Sequence, residues 1–284
     1  QRLEENARRI KEAWERLGKP TLAFACAYCL QIFETYLPDI PRVTIYELLA
    51  QDETVKPAAP FGEAAIFDPC AAREEGGVQE AVRTLAARSG VELEELKEKF
   101  RCCGNGGHIR MANRDLYEEM VNNRVQYSDK PYIVYCANCR EIFSLKDKKN
   151  AHILDMALGL QTDRPVPSLS EKRRNSLEVK KTLMKKLTDQ DFTPPRAEWD
   201  DVALVIEPAT LEEMDRKLIT EDDVREAIFT AEKTGQKFVS EDGVSQCCLV
   251  KPVITYWVQY RPTESGAYEV LAAYSHRMRF GEND

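Results

Sequence analysis

Pro131-Tyr-Ile-Val-Tyr-Cys136-Ala-Asn-Cys139-Arg-Glu-Ile-Phe143 is the stretch whose reading decides the fold. Tyr132 to Tyr135 form a short apolar run of aromatic and β-branched residues, the composition of a buried strand. A Cys-x-x-Cys turn ends the run, and an amphipathic segment follows it. The reading is strand, turn, helix. The same pattern occurs earlier, where Pro20-Thr-Leu-Ala-Phe-Ala leads into Cys26-Ala-Tyr-Cys29-Leu-Gln-Ile-Phe33. Cys, Ala, Cys, Ile and Phe coincide in the two copies. A charged amphipathic helix is predicted ahead of each, over residues 2–18 and 110–127.

Between the copies, Ala64-Ala-Ile-Phe67 reads as another buried strand, ending in Asp68-Pro69-Cys70. A helix follows from about Val78 to Ala87, with Val82, Leu85 and Ala86 on one face. Strands alternating with helices of this length imply βαβ units and a parallel sheet. In such sheets functional groups collect beyond the carboxyl ends of the strands. Cys26, Cys70 and Cys136 all stand at such ends, so the topology predicts that separated cysteines converge on one edge. The Cys26 copy has no Cys…Cys-Cys-Gly half before it. With its polar, methionine-free opening at Gln1, that copy reads as incomplete, and the missing half is expected upstream.

Further along, Pro165, Pro167, Pro194 and Pro195 bracket a basic segment. Seven Lys or Arg face two Glu between Glu171 and Leu187, and Val179, Leu183 and Leu187 share a helix face. It reads as a solvated linker helix or a docking helix for an acidic partner. From Trp199 the pattern changes. Val202–Ile206 is strand-like, and Thr220-Glu-Asp-Asp caps a helix ending at Gly235. Strand-like runs follow at Lys237–Ser240 with Val244–Val250, at Val253–Arg261 and at Ala267–Ser275. The organisation is an incomplete module at 1–50, a complete one at 51–160, a linker at 161–198, and a small α+β domain with an antiparallel sheet at 199–284.

The 284 residues carry a net charge of −8, the wrong sign for general nucleic-acid binding. No apolar run approaches a membrane span of roughly 18 residues, and no signal peptide is visible. Well-formed strand and helix patterns around the nine cysteines argue against a secreted disulfide framework, so a reducing cytoplasm is the expected setting. No Gly-x-Gly-x-x-Gly follows a strand, so any flavin or nicotinamide is expected on missing sequence or on a partner.

From Cys70, the ladder continues through Cys102-Cys103-Gly104 to Cys136-x-x-Cys139. Thiolate sulfur is a soft ligand suited to iron–sulfur clusters and zinc. Gly104, Gly106 and Gly107 let backbone N–H groups approach an anionic centre, and nearby helix starts add positive dipole ends. The residues alone leave several roles open: a structural role, a tetrahedral zinc site, a thioredoxin-like dithiol at Cys136 and Cys139, and a cluster. Cys26 and Cys29 divide between half of a metal site and an orphaned pair. At least one of Cys247 and Cys248 is expected in a core, since strand neighbours face opposite ways. His108 reads as a surface or cap residue, the sequence names no role for His152 or His276, and Asp68 reads as a turn residue.

Cys70, Cys102-Cys103-Gly104 and Cys136-x-x-Cys139 together resemble the CCG domain, the cysteine-rich module of heterodisulfide reductases and related iron–sulfur oxidoreductases. The resemblance covers roughly residues 64–160, with a partial copy over 2–50. It implies a noncubane [4Fe-4S] cluster on Cys70, Cys102, Cys103, Cys136 and Cys139, or zinc in its place. Cys26 and Cys29 match only the closing pair. The implied function is an iron–sulfur electron-transfer or thiol/disulfide-reducing module of a larger oxidoreductase. Its implied partners are flavin- or iron–sulfur-containing redox domains or subunits. A zinc-stapled, non-catalytic interaction module is the alternative. After preparation in air, the site is expected to hold no cluster, or zinc.

Overall fold

The computed structural model describes residues 2–106 and 109–277. The chain divides into two compact units, Gln1–Val166 and Pro167–Asp284. Gly107 and His108 lie outside the described residues.

The first unit opens with helix α1 (Arg2–Arg16), then β1 (Leu22–Phe24), α2 (Ala27–Tyr36), β2 (Arg42–Thr44) and α3 (Ile45–Gln51). Strands β1 and β2 pair in parallel. Next come β3 (Glu63–Phe67), a 3₁₀ turn at Cys70–Ala72, α4 (Gly76–Arg88), β4 (Glu92–Glu95), α5 (Ile109–Ala112) and α6 (Arg114–Val125). The unit closes with β5 (Tyr132–Val134), α7 (Ala137–Ser144), β6 (Asn150–His152) and α8 (Ile153–Ala157). The second sheet has the order β4-β3-β5-β6 and is parallel throughout.

The two strand–Cys-x-x-Cys–helix copies have the same local geometry. Cys26 caps α2 at φ −134° and ψ 115°, and Cys136 caps α7 at φ −133° and ψ 124°. Each copy continues into a second parallel strand and a short helix, α3 capped by Thr44 and α8 capped by His152. The sequence repeat is thus a repeat of β-α-β-α units.

Burial on both faces explains the apolar runs of β3 and β5, since helices cover a parallel sheet on each side. Ala64, Ile66, Ile133 and Tyr135 pack with Val82 and Leu85 of α4. The alternate residues Ala65, Phe67, Tyr132 and Val134 pack with Phe143, Cys103 and Cys139. The rings of Phe67, Tyr132 and Phe143 meet at 4.7–5.7 Å, each such pair contributing about 0.5–1.5 kcal/mol beyond burial.

Two expectations change. The helix expected over 110–127 is two, because Asn113 leaves helical geometry and accepts the Leu116 N–H at 3.0 Å as a cap. Strands β2, β4 and β6 have no counterpart in the sequence reading. β4 is Glu-Leu-Glu-Glu, and charge on an edge strand blunts further pairing while masking the strand signal.

The second unit begins with α9 (Leu169–Thr188), followed by β7 (Leu204–Ile206), α10 (Pro208–Arg216), α11 (Glu221–Thr234), β8 (Phe238–Val239), β9 (Ser245–Lys251), β10 (Ile254–Pro262) and β11 (Tyr268–His276). The sheet order is β7-β11-β10-β9-β8, antiparallel except where β7 runs parallel to β11. Met214, Val224, Ala227 and Ile228 pack from the helices onto Cys247, Val258, Tyr260 and Val270. The basic segment forms α9. Its Ser168–Glu171 capping box starts the helix, and Ser170 and Arg173 bond the start of α11. Leu177, Val179, Leu183 and Leu187 are exposed on it. No helix among the described residues is long and apolar enough to cross a membrane.

Candidate metal centre

Cys70 follows the carboxyl end of β3 and opens the 3₁₀ turn, while Cys136 follows β5 and caps α7. β3 and β5 are neighbours in one parallel sheet, so both cysteines lie at one edge. The loop between β4 and α5 brings Cys102 and Cys103 to the same place. Cys70 meets Cys102, Cys102 meets Cys103, Cys103 meets Cys139, and Cys139 meets Cys136. These pairwise interactions link the five thiols from Cys70 to Cys136. Among the described residues, no three His, Cys, Asp or Glu side chains close around a single point as a ready site for one metal ion.

The loop owes its path to Gly104, whose φ of +95° favours glycine. A Cβ there would lie 2.8 Å from a methyl of Val121 on α6. The close approach aims the Gly104 N–H at Cys102 Sγ, 3.3 Å away. Exposure grades along the chain of thiols. Cys103 and Cys139 are buried, Cys102 and Cys136 half-buried, and Cys70 exposed.

The contacts polarise the thiols unequally. Cys103 and Cys70 interact with Cys102, and with the Gly104 and Gly106 N–H groups they hold it far below the usual thiol range. Contact with Cys139 lowers Cys136 to about 6 against the opposing effect of burial. Cys70 is pushed up by its contact with Cys102. Cys139 is pushed up by its contacts with Cys103 and Cys136. Two sulfurs thus favour the thiolate form, which is the metal-binding form. The donor set fits a thiolate-bound metal group, with its sulfurs running from the exposed Cys70 to the buried Cys103 and Cys139 rather than closed around one ion.

Cys26 and Cys29 are both exposed at the start of α2, where Cys26 Sγ accepts the Cys29 N–H at 3.4 Å. They pair with each other. α2 packs against the 3₁₀ turn that carries Cys70. Cys247 lies in the core of the second unit, where burial pushes its thiol up to about 12, and Cys248 is exposed. His152 is buried and caps α8, its Nδ1 accepting the Leu154 N–H at 3.2 Å. His276 Nε2 accepts the Trp257 indole N–H at 3.0 Å.

Asp68 is more than a turn residue. Its carboxylate is buried, accepts from Arg83 at 2.8 and 3.1 Å, and accepts the Tyr135 hydroxyl at 2.6 Å. Arg83 in turn reaches Glu95 of β4. This network ties the end of β3, two residues before Cys70, to the residue before Cys136. An Asp-Pro pair signals a turn, and nothing local to it points to an arginine fifteen positions on.

Residues 64–143 match the family of the CCG cysteine-rich domain. This segment is similar to a CCG domain. The match spans Cys70, Cys102, Cys103, Cys136 and Cys139, and so the whole five-thiol chain. The chain is also similar to a dihydromethanophenazine:CoB--CoM heterodisulfide reductase subunit of Methanosarcina barkeri. The identity is 31% over 140 residues, which is 43% of this chain and 34% of the relative. The corresponding subunit of Methanosarcina mazei is 26% identical over 188 residues, covering 56% of this chain and 46% of the relative. The chain spans about a third to a half of the length of these curated relatives.

Proposed function

We propose that the CCG-like segment holds an iron–sulfur cluster of noncubane [4Fe-4S] type on Cys70, Cys102, Cys103, Cys136 and Cys139. The chain then serves as an electron-transfer or thiol/disulfide-reducing module of a larger, heterodisulfide-reductase-like oxidoreductase. One observation carries the reading: five thiols from three separate parts of the sequence meet in one chain at the carboxyl ends of β3 and β5. Donors strung out in sequence suit a group of several bridged metal ions better than one tetrahedral ion. The likeness to heterodisulfide reductase subunits adds support.

When bound, such a cluster supplies one-electron transfer at a potential tuned by hydrogen bonds to its sulfurs. The chain's own contribution is the Gly104 N–H at Cys102, the buried walls at Cys103 and Cys139, and the open side at Cys70. Reduction of a disulfide to two thiols takes two electrons and two protons. In this reading the electrons come from a flavin- or iron–sulfur-containing partner. The proposed setting is a reducing cytoplasm, which keeps the exposed thiols free.

The test is anaerobic isolation followed by iron, acid-labile sulfide and zinc analysis with EPR. The expected result is iron with sulfide and an EPR signal. Cys102→Ser or Cys103→Ser abolishes that signal while circular dichroism stays unchanged, and Cys247→Ser leaves it alone. Zinc without acid-labile sulfide would overturn the cluster and favour a zinc-stapled interaction module.

A further inference from the structure

Three parallel strand ends launch the cysteines of the first unit, and buried hydrogen bonds tie those ends together. Asp68 and Tyr135 join the ends of β3 and β5. Tyr46 on α3 extends the tie to β1. Its ring is fully buried and meets Tyr135 edge-on at 6.0 Å. Its hydroxyl lies 2.8 Å from the Ala25 carbonyl and 3.0 Å from the Tyr135 carbonyl. Ala25 immediately precedes Cys26, and Tyr135 immediately precedes Cys136. One phenol thus stands between the two Cys-x-x-Cys turns.

A phenol has one proton to donate. Two carbonyls at near-equal distances must divide it, so strengthening one bond weakens the other. Each carbonyl belongs to the peptide that sets a cysteine cap, and each cap holds the next helix turn equivalently. Leu30 N–H bonds Cys26 O at 3.0 Å, and Arg140 N–H bonds Cys136 O at 3.0 Å. A displacement at Cys136 therefore has a short covalent and hydrogen-bonded route to Cys26.

We propose that Tyr46 is a positioning residue that couples the two Cys-x-x-Cys turns, so that occupancy of the five-cysteine locus alters the cap at position 26. A merely space-filling tyrosine would hold each carbonyl without relaying a change between them. The metal arm of the test rests on the reading given under Proposed function, and the metal-free arm does not.

The test uses amide hydrogen exchange at Leu30 and Arg140 in the full chain, reduced and anaerobic. The background carries Cys26→Ser and Cys29→Ser, which keep a capping oxygen and remove competing thiols. Tyr46→Phe keeps the ring and deletes the hydroxyl. Without metal, Tyr46→Phe is expected to speed exchange at both amides, by about fivefold for one lost buried hydrogen bond. Cadmium titrated to saturation, followed by its thiolate absorption, is expected to slow Arg140 in both proteins. It slows Leu30 about threefold only where Tyr46 is present, a modest coupling on the scale of linked sites. The proposal falls if Leu30 responds equally in Tyr46→Phe, or stays silent beside Tyr46 while Arg140 slows. It also falls if Tyr46→Phe leaves either amide unchanged without metal. If no cadmium–thiolate band develops, the metal reading of the five cysteines fails, and the metal-free arm alone upholds or overturns the role of Tyr46.

Discussion

Two buried polar side chains in the first unit, Asp68 and His152, are paired according to what each can accept. Asp68 is an acceptor, and it faces an arginine and a phenol. His152 is an acceptor at Nδ1, which requires the neutral ring. Burial pushes its imidazolium down to about 4, against the charge of Asp155, from about 6.5 in an unfolded chain. Between those values the unfolded chain takes up a proton that the folded chain refuses. Stability from this group is therefore complete above about pH 6.5 and falls as pH drops toward 4, by about 3 kcal/mol in total. Urea midpoints measured from pH 7 to 4.5 are expected to fall more steeply in the native chain than in His152→Asn, which keeps an acceptor without the titration. Equal slopes in the two proteins would show that His152 protonates in place.

At the scale of elements, the loop from β4 to α5 decides the site. Helices α2 and α7 form wherever a cysteine cap precedes an amphipathic run, but the Cys102-Cys103 loop has no regular structure to hold it. Its path depends on Gly104, where a positive φ coincides with a close approach to Val121. Gly90 shares the sign of φ, at +82°, and has open space around it. Gly90→Ala therefore meets backbone strain alone, about 1 kcal/mol, whereas Gly104→Ala meets strain and overpacking, about 2–4 kcal/mol. Denaturant midpoints are expected to separate the two by at least about 1 kcal/mol. In Gly104→Ala, metal uptake at the five cysteines falls with stability. Matching costs at the two positions would mean that Val121 gives way freely.

For the whole molecule, two compact units imply two cooperative blocks. Ile228 is fully buried among residues of the second unit's core. Ile228→Ala removes about 2–5 kcal/mol by transfer and cavity effects. Scanning calorimetry is expected to show the transition of residues 167–284 shifting down while that of residues 1–166 stays in place. A single transition moving as one would join the units into one block.

Much of this protein is legible from local pattern. Pro131 to Phe143 shows a strand, a cysteine cap and a helix, because apolar runs and helix periodicity are carried by neighbouring residues. Comparison with Pro20 to Phe33 makes the repeat visible, and parallel βαβ topology puts Cys26, Cys70 and Cys136 at strand ends. The helix caps at Thr220 and Gly235 are legible for the same reason. Asn113, β4 and β6 are hidden, since a polar cap inside a helical pattern and a charged edge strand carry little apolar signal. The order in which the five thiols touch, the pairing of Asp68 with Arg83 and Tyr135, and the shared proton of Tyr46 are decided by tertiary structure alone. These contacts join groups as far as 89 positions apart, and a hydrogen bond at such a separation is set by how the elements pack, which no local stretch of sequence encodes.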